Sequence, residues 1–245
     1  MILPEPSPKD PSLASFKGKA ITIAMPAYNE EKIIASVVKD AVSVLKKMTS
    51  NYHVLVVDDG SADKTGAVLD RLAASDKRIK VIHFPRNRGV GAANHAIYKN
   101  VKGEILFWNA SDNQIRMNEF YRLLPYAAEY DIVVGNRMQR ADSFFRRLVS
   151  GMFSLLLRIR FRLPVKDIDS VKLFRVSVFK KLKLESKTAF IETELLIKAK
   201  KRGLKIKEIP IRHYPRMKGK AKGVRLKIII PQLTQLFKAL FRMKW

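Results

Sequence analysis

At 245 residues, 47% of them hydrophobic, the chain is long enough to bury a full core as one domain, or as one domain with an appendage. It contains no cysteine, which excludes a disulfide framework and thiolate metal sites and permits a reducing compartment. A formal charge of +26 implies an anionic partner: nucleic acid, an anionic membrane face or phosphorylated substrates.

Residues 1–17 hold four prolines with acids at Glu5 and Asp10, lack the basic-then-apolar order of a signal peptide, and are read as a flexible lead-in. Short apolar runs closed by turn or polar residues follow at 20–25, 53–57, 80–83, 104–108 and 131–134, the pattern of buried parallel strands. Amphipathic helix candidates lie between them at 30–47, 64–74, 90–100 and 117–129. This alternation predicts an α/β fold, a doubly wound and mostly parallel sheet flanked by helices. After Gly135 the pattern changes to an apolar-basic helix over about 144–161, a short strand near 172–174 and a helix over 191–201 ending at Gly203. A strand over 205–211 and a last helix candidate from about 225 to 243 complete the chain. No apolar stretch approaches the roughly 20 residues that a bilayer-spanning helix needs.

The charge is concentrated in the second half. From Lys200 to Trp245 there are 15 Lys or Arg against one acid, Glu208, and 143–166 holds six bases and no acid. The chemistry-bearing motifs lie mostly in the first half, each just past an apolar run, where a parallel sheet presents its carboxyl-end loops to a ligand. They are Pro26-Ala27-Tyr28-Asn29-Glu30-Glu31, Val56-Val57-Asp58-Asp59-Gly60-Ser61, Asn87-Arg88-Gly89-Val90-Gly91 and Ser111-Asp112-Asn113-Gln114.

In the first motif the proline fixes a turn, Tyr28 suits covering a base or ribose, and Glu30 suits accepting hydrogen bonds from either; a turn with a helix cap reads equally well. The adjacent carboxylates Asp58 and Asp59 repel, which is costly unless something binds them; a turn and capping sequence for the helix at Lys64, through Ser61 or Asp63, is the alternative reading. The preferred division puts Asp59 on the ligand side and Asp58 in support of the turn. The glycines of 87–91 suit a close backbone approach to a phosphate. In the fourth motif Asp112 is the one carboxylate, with Gln114 and Asn109 as neutral oxygen donors for a divalent cation.

The ordered set of Pro26 to Glu31, Val56 to Ser61, Asp112 to Gln114, Gly135-Asn136-Arg137 and 216–219 resembles glycosyltransferase family 2, within it the dolichyl-phosphate mannose synthase-like branch, over roughly residues 20 to 223. The resemblance implies a GT-A fold, a GDP- or UDP-linked sugar donor, Mn2+ or Mg2+, inversion at the anomeric carbon and a polyprenyl or dolichyl phosphate acceptor. It divides the chain into the lead-in 1–17, a transferase domain 18–223 and a basic amphipathic helix 224–245. Carried over residue by residue, Pro26, Ala27, Tyr28, Glu30, Val57 and Asp59, with Ser111, would line the donor, and Asp112 and Gln114 would hold metal and diphosphate. Arg137, in a turn after the fifth strand, would meet the donor sugar or the reacting phosphates. Arg146 and Ser150 would hold the lipid phosphate, and Arg216 and Lys222 would close a loop over the diphosphate. Glu194 matches a family acid near the acceptor, a general base if the acceptor is a hydroxyl.

Two departures stand out. The family pattern Asp-x-Asp-x-Gln reads Ala110-Ser111-Asp112-Asn113-Gln114 here, so the first carboxylate is gone. The stretch from Asp167 and Asp169 to Lys172 is one residue shorter than in relatives. A same-fold transferase with a glycan hydroxyl acceptor, and a noncatalytic relative, therefore stay open beside the leading reading. The helices over 144–161 and 225–243 pair Arg and Lys with Leu, Ile, Met and Phe, which suits peripheral docking at the cytoplasmic face of a membrane and leaves room for a separate transmembrane partner. No zinc spacing, RNA-binding aromatic motif or helix-turn-helix signal supports a nucleic-acid partner.

Overall fold

Seven short stretches with apolar side chains on both faces form one sheet in the computed structural model, which describes residues 3–138 and 144–215. The strands are β1 (Ile21–Ala27), β2 (Tyr52–Asp58), β3 (Ile79–His83), β4 (Ile105–Trp108), β5 (Ile132–Met138), β6 (Lys172–Arg175) and β7 (Ile206–Arg212), in the order β3-β2-β1-β4-β6-β5-β7. All pairings are parallel except those of β6 with β4 and β5. Connecting helices cover both faces, as parallel strands require: α1 (Ile34–Lys46), α2 (Thr65–Ser75), α3 (Val90–Asn100), α4 (Glu119–Leu123), α5 (Phe144–Phe161), α6 (Ser177–Lys181) and α7 (Ile191–Lys201).

Two apolar layers result. Ile21, Ile23 and Met25 of β1 meet α1, α2 and α4 on one face, while Ala24, Leu55 and Val57 meet α3 and α7 on the other. Inward residues of α1 recur as Ile34, Val37, Val38, Ala41, Val44 and Leu45, a single helical stripe.

Several expectations need correction. The 30–47 helix starts only at Ile34: residues 31–33 form a turn, and the backbone N–H groups of Glu30 and Glu31 are taken by Thr65 Oγ1 and Asp63 Oδ2. The 117–129 helix breaks into α4 and a 3-10 turn, Leu124–Ala128, at Pro125, whose nitrogen has no proton to continue the ladder. Gly135, Asn136 and Arg137 lie within a strand, since β5 stays paired with β7 as far as Met138 opposite Arg212. A Cβ on Gly135 would come within 2.6 Å of Ile211 Cδ1 and 2.8 Å of Val171 Cγ2, so the glycine lets these side chains close over the strand.

The lead-in is packed rather than loose. Leu13 and Phe16 of the 3-10 turn Pro11–Phe16 are buried in the first layer, and Arg122 and Arg212 reach the carbonyls of Pro4 and Leu3. The helix expected at 225–243, and with it the separate 224–245 unit, lies outside the described residues.

Candidate active site

The strand order reverses at β1, whose neighbours are β2 and β4, and a ligand crevice belongs outside the carboxyl ends of the strands at such a point. The loops there are laced to one another. Ser111 Oγ donates to the Pro26 carbonyl at 2.9 Å, joining the loops after β4 and β1. Between the loops after β1 and β2, Asn29 N donates to Ser61 Oγ at 2.9 Å and Glu30 N to Thr65 Oγ1 at 2.8 Å. Ala62 N and Lys64 N return hydrogen bonds to Asn29 Oδ1 and Glu31 Oε2. Asn29 sits at φ 54°, a left-handed conformation that asparagine tolerates. Pro26, Tyr28 and Glu30 are half-buried and Ala27 is buried. Val57 is completely buried in the second layer, as Ala27 is in the first, so the side chains of both are core.

The paired carboxylates divide their work. Asp58 accepts from Ser61 N at 3.1 Å and lies 3.0 Å from His83 Nδ1, whose Nε2 lies 3.0 Å from Asp70. Asp59 turns the other way and accepts from Arg88 N at 2.7 Å, Gly89 N at 2.9 Å and Asn87 Nδ2 at 2.9 Å. Burial pushes the Asp59 carboxyl up, and the two backbone N–H groups offset part of that. Asp59 thus shapes the 87–89 loop. Gly60 lets that loop close, since a Cβ there would overlap the Arg86 backbone at 2.3 Å.

The 87–91 glycines were expected beside a phosphate, and Gly91 has a different task. A Cβ on Gly91 would lie 2.3 Å from the Thr188 backbone, so this glycine seats the 185–190 loop on the first turn of α3.

After β4, Asn109 is buried with Nδ2 donating to the Ile115 carbonyl at 2.9 Å; it braces the loop. Asp112 Oδ1 accepts from Gln114 N at 3.1 Å across Asn113, which adopts φ 56°. Gln114 is tied to Tyr214: Tyr214 N donates to the Gln114 carbonyl at 2.8 Å, and Gln114 Nε2 lies 3.5 Å from the Tyr214 carbonyl. With Nε2 committed, Oε1 is the amide atom left for a cation. One carboxylate and one amide oxygen are hard donors that fit Mg2+ or Mn2+, which characteristically take one or two carboxylates and complete their shell with substrate phosphates and water. Among the described residues no group of three or more His, Cys, Asp or Glu forms a closed cage.

On the far side of the crevice, Glu208 of β7 accepts from Lys166 N and Asp167 N at 2.6 and 2.9 Å. That anchors Asp167, which grips Arg137 with two bonds of 2.7 Å and also accepts Arg137 N. Arg137 therefore presents a cation already paired, with its side chain 11% exposed. Asp169 opens to solvent beside this pair, yet protein surrounds it closely enough that desolvation raises its carboxyl, with Lys172 and Arg137 pulling the other way.

Beneath the loops lies a polar network that sequence reasoning missed. Lys172, fully buried, places Nζ 2.8 Å from Glu192 Oε2 and over the Trp108 ring. Glu192 Oε1 accepts from Asn94 at 2.9 Å and Tyr98 at 2.5 Å, and Asn94 accepts from Trp108 Nε1 at 3.0 Å. The available signal was a lysine inside an otherwise apolar strand, Val171-Lys172-Leu173-Phe174.

Glu194 is not placed to act as a base. It is 1% exposed, and its two oxygens accept from Glu185 N and Ser186 N while Lys198 lies 2.6 Å away. It pins the 185–188 loop instead.

Arg146 and Ser150 fall within the span of α5, but their side chains lie outside the described structure; Arg216 and Lys222 lie outside the described residues. A groove of about 340 Å³ bordered by Tyr130, Lys200 and Lys205 sits at the opposite edge of the sheet and holds none of these residues.

A family model described as "Glycosyl transferase family 2" matches residues 22–183. The chain is 29% identical to Glycosyltransferase AglD of Haloferax volcanii over 231 residues, 90% of this chain and 37% of that protein. It is 28% identical to the undecaprenyl-phosphate 4-deoxy-4-formamido-L-arabinose transferase of Edwardsiella ictaluri over 213 residues, 85% of this chain and 64% of that protein. The chain thus spans less than two thirds of either relative.

Among solved structures it is similar to glucosyl-3-phosphoglycerate synthase from Mycobacterium tuberculosis in complex with Mn2+, UDP and glucosyl-3-phosphoglycerate (TM-score 0.70, 18% identity, 91% of this chain and 80% of that one). It is also similar to a mannosyltransferase from Pyrobaculum calidifontis in complex with GDP-Man and Mn2+ (TM-score 0.63, 14% identity, 95% and 66%). At such identities the likeness establishes the fold, which is GT-A.

Proposed function

The chain belongs to glycosyl transferase family 2, and on that premise we propose that it transfers a sugar from a nucleotide-sugar donor to a polyprenyl phosphate at a membrane surface, with inversion. The observation that carries this reading is the laced crevice at the carboxyl ends of β1, β2 and β4, with the Asp112 and Gln114 oxygens at its rim. In this reading Pro26, Ala27, Tyr28 and Glu30 receive the nucleoside, Asp59 holds the 87–89 loop against it, and Ser111 fixes the wall between nucleoside and diphosphate. Asp112 and Gln114 would hold a divalent cation, which when bound draws charge off the leaving diphosphate. Arg137, kept in place by Asp167, faces the donor sugar from β5, and Arg216 and Lys222 close over the diphosphate while Arg146 and Ser150 take the lipid phosphate. A hexose linked to GDP or UDP is the narrower form of the reading.

The chemistry balances without a base. An acceptor phosphate oxygen, already ionised, attacks the anomeric carbon, the bond from that carbon to the diphosphate oxygen breaks, and the nucleoside diphosphate departs with the electron pair. Cations around the diphosphate stabilise that developing charge. The burial of Glu194 supports an acceptor that needs no deprotonation.

Membrane docking draws support from α5. Met152, Leu155, Leu156 and Ile159 are all at least half exposed at 58%, 51%, 50% and 70%, and their spacing forms one stripe, with Arg160 and Arg162 exposed nearby. An anionic cytoplasmic leaflet suits that combination of apolar and cationic surface. Among the described residues no helix is long and apolar enough to cross a membrane.

A second reading, a hydroxyl acceptor deprotonated by Asp169, draws support from the exposure of that side chain and the raised proton affinity of its carboxyl. The test is transfer of labelled sugar from a panel of GDP- and UDP-sugars to polyprenyl phosphate in anionic liposomes, with Mn2+, Mg2+ or EDTA. Metal-dependent glycolipid formation, lost in Asp112→Ala and kept in Asp169→Asn, is the expected result. Transfer to glycan hydroxyls but not to lipid phosphate, abolished by Asp169→Asn, would replace it with the second reading. Donor binding with no transfer to any acceptor would favour a noncatalytic role and point to Ala110.

A further inference from the structure

Gln114 is joined to a segment 100 residues further along the chain. Its carbonyl accepts from Tyr214 N at 2.8 Å, and its amide Nε2 lies 3.5 Å from the Tyr214 carbonyl. Both faces of one residue in the crevice loop are thus read by the backbone of one residue past β7. The Tyr214 ring is held in turn from the crevice loop: the Arg116 guanidinium lies 4.2 Å over its centroid. Arg116 is exposed, so a solvated surface arginine would gain little from this posture unless the stack holds something in place. The two ends of the arrangement are themselves fixed, by the Ser111 bond to Pro26 on one side and the pairing of Ile211 and Arg212 with β5 on the other.

A side-chain amide presents an oxygen on one side and an NH2 group on the other, and a half-turn exchanges them. Anchoring Nε2 to the Tyr214 carbonyl selects the state in which Oε1 faces away from Tyr214. Resting on the cation site proposed above, we propose that Tyr214 and Arg116 are positioning residues that set this orientation. The Tyr214 backbone chooses the face Gln114 offers to the cation, and the Arg116 stack keeps that backbone in register.

The test is Mn2+ binding followed by electron paramagnetic resonance, titrated with UDP or GDP present and with no acceptor, alongside nucleotide binding in EDTA and a melting curve. A cation–π contact at an exposed arginine, about 0.5–1 kcal/mol, corresponds to roughly 2- to 5-fold in affinity. Tyr214→Ala and Arg116→Ala should each weaken Mn2+ binding by that factor, the double variant should be no weaker than the worse single, and Tyr214→Phe should bind like the parent. Nucleotide binding in EDTA should stay within about twofold, which a general loosening of the fold would not allow. Parental Mn2+ affinity in a folded Tyr214→Ala would overturn this inference alone. A parent chain that binds Mn2+ with neither nucleotide would overturn it together with the reading beneath it.

Discussion

Lys172→Met isolates the most deeply buried charge described in the molecule. Lys172 is fully buried, and its Nζ stands 2.8 Å from Glu192 Oε2, itself nearly inaccessible. At an effective dielectric of about 20, two unit charges at that distance attract by roughly 6 kcal/mol, most of which offsets the cost of desolvating both. Removing the lysine leaves that desolvation cost uncompensated on Glu192, whose Oε1 keeps Asn94 and Tyr98 while Oε2 faces a methionine. The expected loss is about 3–5 kcal/mol. The double variant Lys172→Met with Glu192→Gln keeps an acceptor for Asn94 and Tyr98 and carries no charge, so it should lose only about 1–2 kcal/mol. Urea unfolding is the assay, and the ring of Trp108 lies under Lys172 as a reporter. With a slope of about 2–3 kcal/mol/M, Lys172→Met should move the midpoint down by roughly 1–2 M. A single variant that loses under about 1 kcal/mol, or a double variant worse than the single, would refute the reasoning.

His83 should make stability depend on pH. Burial works against the charged ring, but its hydrogen bonds to Asp58 and Asp70 outweigh that and raise its pKa above 6.5. Its contribution is therefore fully present below about pH 6.5 and lost as pH rises through the higher folded value. Parent and His83→Gln should differ in urea midpoint near about pH 5.5 and converge near about pH 9, whereas an equal gap at both would count against the assignment. Two helical glycines should respond oppositely to alanine. Gly151 has nothing within 4 Å of an added Cβ and should gain up to about 1 kcal/mol from helix propensity, while Gly91 meets the Thr188 backbone at 2.3 Å and should lose more than that propensity returns. Melting temperatures that shift in the same direction would contradict this. Leu155→Glu with Ile159→Glu should cut co-sedimentation with anionic vesicles at least tenfold, each side chain otherwise contributing about 1.5–3 kcal/mol when buried; unchanged pelleting would remove α5 from the docking surface.

What was legible in the sequence is what local pattern encodes. β1 and β2 are buried on both faces and so appear as continuous apolar runs, and their expected bounds needed only a residue or two at the ends. α3 and α7 matched their expected spans because Gly89 and Gly203, at φ 85° and 72°, bound them in a conformation that favours glycine. The support that Asp58 gives the turn was also readable, since Ser61 N donates to it, and neighbouring residues at a strand end point to opposite sides. The misreadings arise where partners distant in sequence decide the outcome. β5 runs on to Met138 because β7 is beside it, and Asn94 and Tyr98 meet Glu192 from 98 and 94 residues away.

Glu194 shows why a family position does not by itself fix a role. Its place near the start of α7 brings it to the carboxyl edge of the sheet, where an acid could face an acceptor. The 185–190 loop, however, packs so tightly on Gly91 that its backbone N–H groups need acceptors, and Glu194 supplies them. Glu192, one turn of logic deeper, neutralises Lys172, and Glu208 holds the linker that brings Asp167 to Arg137. In a chain of net charge +26, these three acids of the basic half are all spent on structural contacts, Glu192 and Glu194 in full burial and Glu208 half-buried. Among the described residues Arg137 is then the cation that Asp167 holds at this edge of the sheet, and on the proposed reading it would steady the charge of the leaving diphosphate.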